Sequence, residues 1–126
     1  MNTPKNLLYS KSHEWIKFTG ENTFELGLTD YAQNALGDLV FINLCEAGKK
    51  FAADSIIGDV ESIKAVSDIY VPLACAVTEV NDALADDSSL INSDPYGAWL
   101  IRADYASGRE TLLTAEEYEE FVKSLS

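Results

Sequence analysis

From Asp38 to Asp104 the chain breaks into short apolar runs with no long helical pattern between them. The runs are Leu39 to Leu44, Ser55 to Glu61, Ile69 to Leu73, Ala76 to Val80 and Ala98 to Ala103. Gly48-Lys49-Lys50 and Asn81-Asp82 supply turns. Parallel strands need long, usually helical, crossovers, so this spacing calls for antiparallel neighbours. The pattern predicts a mainly β fold, a flattened antiparallel sandwich or barrel.

Before this region, His13 to Phe18 and Thr23 to Leu28 flank the turn Thr19-Gly20-Glu21-Asn22, a β-hairpin pattern in which Phe24, Leu26 and Leu28 alternate. Thr29 can cap a short helix that Gly37 ends, with Tyr31, Ala35 and Leu36 near one face. At the other end, Thr114-Ala115-Glu116-Glu117 reads as a capping box with Leu113 stapled on Tyr118. Ala115, Tyr118, Phe121, Val122 and Leu125 form one apolar stripe, which predicts a C-terminal helix packed on the core. A chain of 126 residues suits one domain, residues 1–126.

Lys64 lies between the runs Ser55 to Val60 and Ile69 to Leu73, at the expected tip of a hairpin. A lysine there is ordinarily a solvated charge. It is also within reach of an enzyme that acylates amines, and the neighbouring residues decide between the two.

Nine Lys and Arg stand against 21 Asp and Glu, a formal charge of -12. Such a surface repels phosphate backbones and anionic lipid, so neither nucleic acid nor membrane is expected as a partner. It suits basic rims of other proteins. The opening residues Met1 to Leu8 have neither the apolar run of a signal peptide nor an Arg-rich amphipathic pattern. A cytoplasmic location is expected. Cys45 and Cys75 are too sparse for a redox or zinc motif and read as small apolar residues. His13, the only histidine, has no paired nucleophile and reads as structural. No metal cluster, catalytic triad or phosphate loop is evident, so no catalytic residue is assigned and the chain is not expected to be an enzyme.

The segment Gly58-Asp59-Val60-Glu61-Ser62-Ile63-Lys64-Ala65-Val66-Ser67-Asp68-Ile69-Tyr70-Val71-Pro72 resembles the lipoyl-attachment segment of the glycine cleavage system H protein family. Tyr9 to Trp15, Leu26 to Gln33, Gly37 to Phe41, Glu79 to Leu84 and Asn92 to Gly97 resemble the same family in order. The resemblance implies the lipoyl-domain-like barrel-sandwich hybrid fold, with a short helix after the first hairpin and a C-terminal helix. It implies lipoate in amide linkage to Lys64. In the family's chemistry a pyridoxal-phosphate glycine decarboxylase loads an aminomethyl group onto the lipoyl arm. An aminomethyltransferase passes the one-carbon unit to tetrahydrofolate, and dihydrolipoamide dehydrogenase reoxidises the arm. A lipoate ligase or octanoyltransferase would modify the lysine. A carrier that visits several active sites is expected to be a monomer.

Glu61 matches the family's acidic position and is expected to help the modifying enzyme recognise the hairpin, with Ser62, Ile63 and Ala65 shaping the turn. Glu14 is a candidate to hold the ammonium of the loaded arm in a cleft, with Trp15 packing beneath it; the alternative is an ordinary strand carboxylate facing solvent. The chain departs from the family at Asp54, where a turn glycine is usual, at Ala74-Cys75-Ala76, at Cys45 and near Gly97. Two other functions stay open: an H-like protein that relays lipoate or serves another lipoyl system, and an unmodified interaction domain.

Overall fold

Burial follows the alternation. In β3 (Thr23–Leu28) Phe24, Leu26 and Leu28 turn inward, at 0%, 0% and 4% exposure. Full burial of each such side chain is worth roughly 1.5–3 kcal/mol, enough to fix which face of the strand looks inward. The computed structural model describes residues 1–125. Six strands form one sheet in the order β1-β2-β3-β9-β8-β5: β1 (Leu8–Tyr9), β2 (Glu14–Phe18), β3, β9 (Ile101–Tyr105), β8 (Cys75–Val80) and β5 (Lys50–Phe51). Three more form a second sheet in the order β4-β6-β7: β4 (Leu39–Leu44), β6 (Ser55–Ser62) and β7 (Val66–Val71). Every pairing is antiparallel, as the strand spacing predicts.

The main core lies between the sheets, where Ile16, Phe24, Leu26 and Ile101 meet Ile42, Val60, Ile69 and Val71. A second, smaller core covers the opposite face of the large sheet. There α4 (Ala115–Ser124) buries Ala115 and Tyr118 against Leu7, Tyr9 and Trp15. The molecule is thus layered as sheet, sheet and helix.

Local signals placed the helices well. Thr29 caps α1 (Asp30–Leu36) by accepting from the Ala32 N–H at 3.1 Å, and Gly37 ends it at a φ of 83°. Thr114 and Glu117 form the reciprocal capping box of α4, and Leu113 and Tyr118 share the outer core. Leu125, the last residue of the expected stripe, is 51% exposed because the helix has already ended at Ser124.

Other boundaries shift. The strand expected from Ile69 runs over Val66–Val71, and the one expected from Ala98 runs over Ile101–Tyr105. Lys50, expected in a turn, pairs with Ala76 in β5. β1, β5 and the single-turn helices α2 (Ala83–Asp86) and α3 (Leu90–Ser93) are too short to leave a periodic signal of their own. Asp54 adopts the left-handed conformation at φ 64°, tolerated there by an Asp side chain. Cys75 instead starts β8 in extended backbone. Both cysteines are free.

Candidate functional site

The turn joining β6 to β7 is organised by Ser62. Its backbone N–H donates to the Ala65 carbonyl at 2.8 Å, closing the hairpin. Its hydroxyl accepts from the Lys64 and Ala65 N–H groups at 3.3 and 3.0 Å, so one small side chain satisfies the turn from within. Ser62 itself is buried at 9%, while Ile63, Lys64 and Ala65 are exposed. Glu61 is half-buried beside them. The Lys64 side chain leans back over the end of α1. Its Cε lies 3.6 Å from where a Cβ would stand on Gly37.

Next to Gly37 opens a cleft of about 250 Å3. One wall is α1, through Ala32 together with Tyr31, Ala35 and Leu36, the three residues that the sequence places near one face. The other wall is Val60, Ser67, Asp68 and Ile69 from β6 and β7, and Ser12 and His13 line one part of it. Ser12 also lines a second, wider groove of about 740 Å3 that runs past Asp54, Tyr70, Pro72 and Leu112.

Beneath Ser12 sits Glu14, fully buried rather than facing solvent. Its Oε1 accepts from the Ser10 hydroxyl at 2.6 Å and the Ser12 hydroxyl at 2.5 Å. Its Oε2 has only a long contact, 3.4 Å, from the Tyr70 N–H. Burial pushes the carboxyl up to about 7. The Ser10, Ser12 and Tyr70 donors oppose that shift, and Asp54 adds slightly to it.

Trp15 does not belong to this site. Adjacent residues of a strand face opposite sides, so Trp15 enters the outer core, where its Nε1–H donates to the Pro95 carbonyl at 3.0 Å. It packs over Gly27, its register partner in β3, at which any Cβ would strike the indole.

The sequence pattern did not single out Ser10 and Ser12 as partners of Glu14. Their two-residue spacing before Glu14 was the available signal. His13 also proves more constrained than a generic structural residue. It adopts φ 73°, its Nδ1 lies 2.8 Å from the Tyr118 hydroxyl, and its ring lies tilted against Tyr31 of the cleft wall, the centroids 4.6 Å apart. Burial lowers its pKa, which favours the neutral ring. Among the described residues no group of His, Cys, Asp or Glu is arranged to hold a metal, and no helix is long and apolar enough to cross a membrane.

Residues 7–125 match the family model described as glycine cleavage H-protein. The chain is 47% identical over 124 residues to the glycine cleavage system H protein of Thermoanaerobacter sp. (strain X514), covering 97% of this chain and 98% of that protein. It is 48% identical over 126 residues to the H protein of Bacillus pumilus (strain SAFR-032), covering 98% of each. The crystal structure of a glycine cleavage system H protein from Mycobacterium marinum superposes with a TM-score of 0.88 at 41% identity, over 95% of this chain and 98% of that one. The exposed-lysine hairpin, the apolar cleft and the buried carboxylate are thus features of a chain that belongs to the glycine cleavage H-protein family.

Proposed function

We propose that Lys64 is the lipoyl attachment site of this carrier, with the lipoyl group in amide linkage to its Nζ. The chain, acting as one lipoyl-carrier unit, moves the aminomethyl group of glycine from the pyridoxal-phosphate decarboxylase to the tetrahydrofolate-dependent aminomethyltransferase. It is a carrier, not a catalyst. The observation that carries the reading is the placement of an exposed lysine on a tight hairpin beside an apolar cleft.

The residues present fit the group. An acyl arm needs an accessible amine and apolar side chains to lie along. Lys64 is accessible, and Ala32, Ala35, Leu36, Val60 and Ile69 give the wall. When attached, the lipoyl group supplies a strained five-membered disulfide that opens readily to thiol-type chemistry. Everything else falls to the protein. Ser62 holds the turn so that Lys64 projects. Glu61, Ile63 and Ala65 surround the amine where the lipoate ligase or octanoyltransferase approaches. Glu14, its Oε1 held by Ser10 and Ser12, is read as the carboxylate that holds the ammonium of the loaded arm, and because it is fully buried the residues over it must move aside for the arm to reach it.

Partners follow from the function: glycine decarboxylase, the aminomethyltransferase, dihydrolipoamide dehydrogenase and the acylating enzyme. A cytoplasmic monomer completes the reading, since a carrier that visits several active sites works most simply alone. Intact-mass measurement of the chain from its native host tests the attachment. A lipoyl or octanoyl mass on wild type, absent from Lys64→Arg, is expected, and an unmodified wild type grown with lipoate would overturn the reading. Lipoylated protein should then support glycine decarboxylation with the host's partner enzymes; failure there would assign the arm to another lipoyl system.

A further inference from the structure

The outward face of the small sheet beside Lys64 carries an ordered pattern. Residues directly opposite in antiparallel strands share a face. Phe41, Glu61 and Val66 are opposite one another across β4, β6 and β7, forming one row beside the lysine turn. Asn43, Asp59 and Asp68 form the next row. Phe41 is 51% exposed, Val66 66% and Ile63 at the tip 76%, so three exposed apolar side chains lie at the lysine end of the small sheet. Lys64 is the only cation on these three strands and their turn, against Asp59, Glu61 and Asp68.

We infer that this face, Phe41, Ile63 and Val66 with the acidic row behind them, is the docking surface for the enzyme that acylates Lys64. The inference rests on the reading of Lys64 as the attachment site and extends it from the turn onto β4 and β7. The choice of occupant follows from reach. The acylating enzyme must bring an activated carbonyl to the lysine Nζ itself, only a side chain's length from the backbone, so it must touch the residues ringing the turn. Enzymes that act on the far end of an attached arm are free to dock elsewhere. Charge agrees with this. Basic groups on the partner meet Asp59, Glu61 and Asp68, while Phe41 and Val66 pack on it from either side of Glu61.

The test compares Phe41→Thr/Val66→Thr with wild type and with Ile56→Thr. Threonine keeps strand propensity, and both sites are exposed, so unfolding midpoints should match. Ile56 is equally exposed, at 51%, but sits at the other end of β6 opposite Tyr70. Acylation is followed by mass with the host's ligase, lipoate and ATP, or with its octanoyltransferase and an octanoyl thioester. The double variant should lose roughly tenfold or more in kcat/KM, and Ile56→Thr should not. Added salt should slow acylation of wild type. Once driven to full lipoylation, the double variant should support glycine decarboxylation like wild type. Unchanged acylation, an equal loss in Ile56→Thr, or an equal loss of decarboxylation would overturn the docking face alone. A wild-type chain that gains no mass would instead sink the Lys64 reading and this one with it.

Discussion

The Nδ1 of His13 and the hydroxyl of Tyr118, 105 residues apart, lie 2.8 Å from each other. The same hydroxyl is 2.8 Å from Thr29 Oγ1, the cap of α1. The Thr29 N–H donates to the His13 carbonyl at 3.1 Å. The C-terminal helix, the cap of the cleft helix and the turn that carries Ser12 and Glu14 therefore share one buried knot. Tyr118→Phe leaves His13 and Thr29 short of a partner and should destabilise the fold by about 1–3 kcal/mol. Urea unfolding checks the stability. A faster loss of formaldehyde from glycine-loaded Tyr118→Phe would show that the knot also positions the site.

Glu14 should make stability depend on pH in a defined direction. Its carboxyl titrates at about 7 when folded and near 4.5 when free, so between those values the folded chain holds the proton more tightly. Stability contributed by this group is full below about pH 4.5 and declines as pH rises to 7. Glu14→Gln removes that decline. The variant should match wild type near pH 4.5 and exceed it above pH 7 by up to about 3 kcal/mol, read as the difference in urea midpoints across pH.

The same substitution should impair holding of the loaded arm. Glu14→Gln and Ser12→Ala should both release formaldehyde faster than wild type after loading with glycine and decarboxylase. Glu14→Gln should have the larger effect, since it loses the charge as well as a hydrogen bond. Release no faster than wild type in either would remove Glu14 from the arm cleft.

Ser62 is the internal brace of the lysine turn. Ser62→Ala removes the acceptor used by the Lys64 and Ala65 N–H groups. It should cost about 1 kcal/mol in stability and slow acylation several-fold by loosening the presentation of Lys64. Stopped mass measurements against wild type give both the rate and the final extent, which should remain complete.

Gly27 is needed for close approach rather than for a special φ. Gly27→Ala would drive a Cβ into the Trp15 indole and should destabilise by about 1–3 kcal/mol. Trp15 fluorescence reports the displaced ring. Lipoylation of the folded fraction should be unaffected, because Trp15 lies in the outer core, away from the hairpin.

Much of this molecule was legible in the chain. Thr29 and Gly37 bracket α1, Thr114 and Glu117 cap α4, and the alternation of Phe24, Leu26 and Leu28 sets the inner face of β3. Lys64 is marked by the residues around it. Less legible were β5 and the position of Trp15, since a two-residue strand and a single indole take their places from partners far along the chain. The pairing Lys50↔Ala76 spans residues that no local window joins.

The division has a physical cause. Periodicity, caps and turn chemistry act over a few residues, so the sequence by itself determined the longer strands, the two main helices and the exposed lysine. Desolvation depends on what lies above a group, and that is decided only when remote segments meet. In the sequence Glu14 stands between an arm-cleft carboxylate and a solvated strand residue, and its burial is decided only when Ser10, Ser12 and the edge of β7 close over it. The tertiary structure alone turned it into a buried carboxyl with a raised pKa, and His13 into the link between α4 and the cleft.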